Sequence, residues 1–219
     1  MHGQRQTPWK LRGRLGEVYG GRVHPRWSHV IDQVHSLDPP GEQEEQPICI
    51  TDNPSRDFVF PITAGEAVAR LRQLPEGHVR GLTHVWLRRI RKRDYEQGDL
   101  PFACLVCGGD VEVIMLYPWP ADLLLRFPGR RKPTARQLRE FQPWSTDLVR
   151  REGEWCLKWT LKALRRFYLD DLLLHEVGHH LDRSRPRSIT ARKRREDFAV
   201  SYAVFWSQRI NAVYEHPTR

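Results

Sequence analysis

Sulfur is scarce in this chain: four cysteines and two methionines among 219 residues. Cys49, Cys104, Cys107 and Cys156 are too few and too scattered for the disulfide framework that small secreted domains use in place of a large core. They read as free thiols, mostly packed. Cys104-Leu-Val-Cys107, followed by two glycines, has the sequence of a zinc knuckle, but a structural zinc needs four ligands and there is no second C-x-x-C. Cys49, Cys156 or a His would have to complete it; the alternative is a strand pair closing on a Gly-Gly turn. Long apolar runs are also missing. None approaches the ~20 residues of a membrane span. The opening Met1-His-Gly-Gln-Arg leads into more charge with no apolar h-region, so a cytoplasmic protein without a membrane span is expected. Acidic residues fall short of basic ones, 27 against 36, for a net charge of +9. No internal repeat is evident.

What is present suits one well-buried domain with an appended segment. Residues 1–60 are rich in Pro, Gly and charge, with Asp38-Pro-Pro-Gly41 opening a linker that runs to Pro47, and read as an N-terminal extension. Residues 61–219 read as the main domain. Within it Ala64 to Leu74 has helical spacing and ends at Pro75, Gly81 to Ile90 reads as a strand, and Phe102 to Tyr117 reads as a hairpin turning at Gly108-Gly-Asp110. A proline-punctuated insertion covers 117–155, either shaping a cleft or decorating the periphery. Leu157, Leu161, Leu164, Tyr168 and Leu172 then suggest a helical stripe that leads into the most informative stretch of the chain.

That stretch is His175-Glu-Val-Gly-His179, an HExxH motif embedded in leucines. On a helix, residues i and i+4 lie one above the other, so both imidazoles project from one face at a spacing that a single tetrahedral metal ion can bridge. Glu176 lies about 100° further round. Its carboxylate falls beside the open metal position, where it can take a proton from water instead of ligating. A solvated helix would carry charge where Leu172, Leu173, Leu174 and Leu181 stand.

These residues resemble the zincin metallopeptidases, and among them the gluzincin type, whose third ligand is a Glu on a later helix. The matching residue is Glu196, in Glu196-Asp-Phe-Ala199-Val-Ser-Tyr202-Ala203, which is similar to the E-x-x-A-x-x-[FY]-A pattern of small bacterial members. Ala199 and Ala203 share a face with Glu196, and small residues there let the two helices come close. The resemblance implies an α+β, zincin-like single domain with a small mixed sheet, Zn²⁺ held by His175, His179 and Glu196, and Glu176 as general base. The main departure is Val200, where many gluzincins carry an Asp or Asn that orients a ligand His. Asp171, Asp182 and Asp197 are substitutes to consider. For the oxyanion-stabilising group the available residues are Tyr168, Tyr202, Tyr214 and His216.

The expected function is zinc-dependent peptide hydrolysis. Val111 to Leu116, with Val113 and Met115, is the candidate edge strand to which an extended peptide could add. Arginine clusters supply a second theme. Arg88, Arg89, Arg91, Lys92 and Arg93 form one; a second runs from Arg183 to Arg195 between His179 and Glu196, with Arg192, Lys193, Arg194 and Arg195 as candidate polyanion contacts. Such density either attracts nucleic acid or an acidic partner, or solvates an ordinary surface. The competing function is therefore a basic nucleic-acid-binding module with a structural or vestigial metal site, and a third joins the two as a peptidase acting on nucleic-acid-associated proteins.

Overall fold

Residues 17–19, 33–41, 44–96, 101–108, 110–127, 132–139, 141–145, 147–182 and 189–215 are described by the structure, a computed structural model. The elements run β1 (Glu17–Tyr19), β2 (Ile48–Thr51), β3 (Phe58–Val59), α1 (Ala64–Leu71), α2 (Glu76–Val79), β4 (His84–Leu87), α3 (Lys92–Glu96), β5 (Ala103–Gly108), β6 (Val111–Leu116), β7 (Trp119–Pro120), β8 (Leu124–Phe127), α4 (Ala135–Leu138), β9 (Asp147–Arg151), β10 (Glu154–Lys158), α5 (Leu161–Arg166), a π-helical turn (Phe167–Leu172), α6 (Leu173–Leu181) and α7 (Ile189–Glu215). The class is α+β.

The expected hairpin forms: β5 and β6 pair antiparallel from Ala103↔Leu116 to Gly108↔Val111. It sits inside a five-stranded sheet of order β1-β5-β6-β4-β2, in which β4 runs parallel to β6 and β2 parallel to β4. β1 and β2 come from the stretch read as an extension, and both are strands of this sheet. All six residues of β6 and all four of β4 are buried. The reason is that both faces of the sheet are covered. Leu105, Ile114, Leu116, Val85 and Leu87 share a cluster with Ala67, Val68 and Leu71 of α1 and Leu173, Leu174 and Val177 of α6. Cys104, Val106, Val113, Met115 and Trp86 point the other way, into a second cluster with Val34, Phe58, Ile90 and Tyr117. Each fully buried aliphatic side chain contributes roughly 1.5–3 kcal/mol.

The insertion is anchored in the main core. It supplies β8 and β9, which flank β10 in a three-stranded sheet, and β7, which pairs with β3. Trp119 and Phe141 from this stretch join Phe102, Trp159 and Phe167 in a nest of stacked, edge-on and tilted rings. Leu157 lies in β10 and not on a helix, so the stripe drawn from it is corrected here.

The helix itself starts at Leu161, after Thr160 has accepted a capping hydrogen bond from the Ala163 N–H, and continues to Leu181. Its middle six residues, Phe167–Leu172, are π-helical. An i→i+5 turn shifts the apolar face by about one residue. Hence Leu164 and Tyr168 are followed on the buried side by Leu173 and Val177, while Leu161 is exposed and Leu172 only partly covered. Among the described residues no helix is long and apolar enough to cross a membrane.

Candidate metal centre

Helices α6 and α7 cross at Gly178 and Ala199. A Cβ at Gly178 would lie 2.6 Å from the Ala199 Cα and 3.1 Å from its Cβ, so the backbones touch there and only glycine fits. Ala199 and Ala203 are fully buried. This contact brings Glu196, three residues before Ala199, across to the histidines.

The Nε2 atoms of His175 and His179 stand 3.0 Å apart, and Glu196 Oε2 is 3.6 Å from each. Three donors bonded at ~2.0–2.2 Å to one tetrahedral zinc stand about 3.3–3.6 Å from each other. The triangle therefore fits such a cation, and its two neutral nitrogens and one carboxylate oxygen are a donor set that zinc accepts. Among the described residues the group has three protein members. His179 is buried, His175 is 22% exposed and Glu196 40%, so the site opens on the Glu196 side.

The electrostatics follow from that packing. Hydrogen bonds from His175 and His179 hold the Glu196 carboxyl well below the usual carboxylate range, against the effect of its burial. Burial works against protonation of His175, but Glu196, joined by Glu176 and Asp171, outweighs it and raises the imidazole. Glu176 behaves differently. Burial lifts its pKa from 4.5 to about 7, although His175, His179 and a backbone hydrogen bond from Leu105 on β5 all favour its charged form. Its Oε2 is buried with no hydrogen-bond partner among the described residues.

Two polar ties that the sequence reading missed fix the ends of the ligand-bearing helix. His180 places Nδ1 2.6 Å from Glu112 Oε1 on β6, a buried contact, and Nε2 3.1 Å from the Arg80 carbonyl oxygen, a partly buried one. A lone acidic residue in the apolar run Val111-Glu-Val113 was the available signal. At the other end Asp170, buried in the π-helical turn, contacts Arg70 at 3.0 Å and Arg166 at 3.5 Å, and accepts a hydrogen bond from Asn211 of α7 at 3.2 Å. It joins α6 to α1 and to α7.

Other expectations fare differently. The edge-strand reading of Val111, Val113 and Met115 is corrected: β6 is interior, paired on both sides by β5 and β4, so its main chain has no free ladder. These three side chains also lie in the cluster on the sheet face away from α6. Cys104 and Cys107 fall on opposite faces of β5, Cys104 in one cluster and Cys107 against the other, so they cannot share a metal. Tyr168 is buried and donates to the Tyr117 carbonyl at 2.6 Å, a packing role. The Tyr202 hydroxyl is 2.9 Å from His78 Nδ1. Val200 and Asp197 are exposed. Lys193 and Arg194 are exposed and Arg195 partly so; Arg183, Arg185, Arg187 and His216, with the side chains of Arg192 and Tyr214, lie outside the described residues.

Compared with models of protein families, with curated proteins and with solved structures, the chain matches none. The three-donor group that could hold a metal ion is the finding on which function turns.

Proposed function

We propose that the chain is a zinc-dependent peptidase of the gluzincin type, with His175, His179 and Glu196 as ligands and Glu176 as general base. One observation carries this reading: Glu176 Oε2 is buried and, among the described residues, has no hydrogen-bond partner, on the residue next to a converging pair of imidazoles. A site that served only to brace two helices would gain nothing from such a group, because an unsatisfied buried carboxylate costs stability. Zinc, when bound, supplies Lewis acidity, lowering the pKa of water toward ~7 and polarising a carbonyl. Glu176, buried beside the two histidines, can take a proton on Oε2 and return it to the leaving amine. The choice of a peptide bond over other hydrolysable bonds rests on the likeness of the motif.

Glu176→Gln keeps the shape and removes the proton acceptor. It is expected to retain one zinc per chain and to lose about 10²–10⁴-fold in kcat/KM on a peptide substrate. Hydrolysis at the wild-type rate would sink the assignment. Glu196→Ala is expected to weaken zinc binding itself; equal affinity would move the third ligand elsewhere, first to Asp197.

A second reading draws on Lys193 and Arg194, exposed on α7 within three residues of Glu196. In that reading the peptidase works on proteins held on nucleic acid. Replacing Arg192, Lys193, Arg194 and Arg195 by Gln should weaken nucleic-acid binding and flatten its salt dependence while zinc content stays the same. A wild type that binds no nucleic acid at low salt would exclude this version.

A further inference from the structure

The strand nearest to Glu176 is β5, whose Leu105 backbone amide faces that carboxylate. One edge of β5 is taken by β6. Its other edge is paired antiparallel with β1, in the register Glu17↔Cys107, Val18↔Val106, Tyr19↔Leu105. β1 therefore ends opposite the residue that addresses Glu176. An unpaired strand edge accepts an extended chain through main-chain hydrogen bonds whatever its side chains. A segment of the same chain already lies there.

We propose that β1 is an internal blocker of the peptide-binding edge: it holds β5 in the way an extended peptide would, and the site becomes accessible to a substrate when β1 leaves. This rests on the reading of Glu176 as the base of a peptidase. Among the described residues β1 contributes three to the ladder and β6 six, so the β1 pairing is the easier of the two to exchange. Being tethered, β1 competes at an effective concentration on the order of millimolar. A free peptide with an intrinsic Kd near ~0.1 mM would then bind about tenfold more weakly than to an uncovered edge.

The test uses the full-length, zinc-loaded chain with Glu176→Gln as background, so that bound peptide is not turned over. Val18→Pro with Tyr19→Pro removes donors from β1 and cannot maintain a regular ladder. The probe is a fluorescent peptide of the chain's own residues 14–22, followed by anisotropy, together with amide exchange of Ala103 to Cys107. The proline variant is expected to bind the probe at least tenfold more tightly than its parent. Its β5 amides should exchange faster, and the probe should protect them again. Zinc content near one per chain certifies that the variant is folded; if the prolines lower it, Val18→Gly with Tyr19→Gly takes their place. Equal affinity for parent and variant, or β5 exchange unmoved by the probe, overturns the proposal. The peptidase reading is judged separately with Glu176 restored: tighter binding in the variant without hydrolysis in either form rejects the peptidase and leaves the blocked edge standing.

Discussion

Two short motifs in this chain promise metal chemistry, one on α6 and one on β5, and the structure treats them in opposite ways. His175 and His179, four apart on a helix, converge to 3.0 Å between ring nitrogens. Cys104 and Cys107, three apart on a strand, end in different apolar clusters on either side of the sheet. Side chains recur every 3.6 residues on a helix and every 2 on a strand, so a spacing acquires chemical meaning only with the period of the element that carries it. C-x-x-C needs a turn between its cysteines. A continuous strand from Ala103 to Gly108 denies it one.

The largest expected effect tests the converging pair. His179→Ala removes a buried donor, and metal content should fall from one zinc per chain to nearly none, measured by elemental analysis after dialysis. Retention of stoichiometric zinc would break the contrast at once. The next effect concerns charge. In the metal-free protein Glu176 has a pKa raised from 4.5 to about 7 by burial, so folding opposes its ionisation. That penalty is absent below pH ~4.5, grows as pH rises toward 7, and is complete above it. Metal-free Glu176→Gln should therefore be more stable than metal-free wild type at pH 8, by on the order of 3 kcal/mol, with the difference gone at pH 4. Urea unfolding across pH measures it, and a pH-independent difference would count against a carboxyl whose ionisation burial opposes.

A smaller effect probes how the helices meet. Gly178→Ala places a Cβ against the Ala199 backbone, which should cost about 1–3 kcal/mol as the helices part. Zinc affinity should drop with it, by about tenfold, because Glu196 moves off with α7; calorimetric titration would show whether it does. The smallest belongs to the strand. Cys104→Ser, burying a hydroxyl, should cost about 1 kcal/mol, Cys107→Ser less, and neither should change the zinc count. A drop in zinc for either would return the cysteines to the metal.

The helical half of the site could be read directly because its geometry is local. The spacing of His175 and His179, and the small residues at Ala199 and Ala203, state their consequences within a few turns of chain. The sheet could not be read in the same way. A run such as Val111-Glu-Val-Ile-Met-Leu116 is apolar whether it lies inside a sheet or along an edge, and the choice was made by partners distant in sequence: β4 for one side of the sheet, β1 for the outer edge of β5. The π-helical turn escaped for a related reason. An i, i+4, i+7 stripe through Leu157, Leu161 and Leu164 suggests one helix, whereas the chain is in β10 at Leu157 and gains about a residue per turn between Phe167 and Leu172. His180 with Glu112, and Asp170 with Arg70 and Asn211, are pairings across 41 to 100 positions of sequence that no window reveals.

The crossing of α6 and α7 has a thermodynamic consequence. A cation held by His175, His179 and Glu196 would staple two helices whose joining sequence contains Arg183, Arg185 and Arg187. Ligand binding to the folded form alone adds RT ln(1 + [L]/Kd) to its stability, so free zinc at 100 times its Kd would contribute about 2.7 kcal/mol. Asn211 lies fifteen residues beyond Glu196 on the same helix, and through its hydrogen bond to Asp170 the far end of α7 shares in that gain. Melting temperature should climb with the logarithm of free zinc, and chelation should loosen amide protection around Asn211 as well as at the metal. The ion, in this view, is a fastener for the last helix of the fold as much as a reagent.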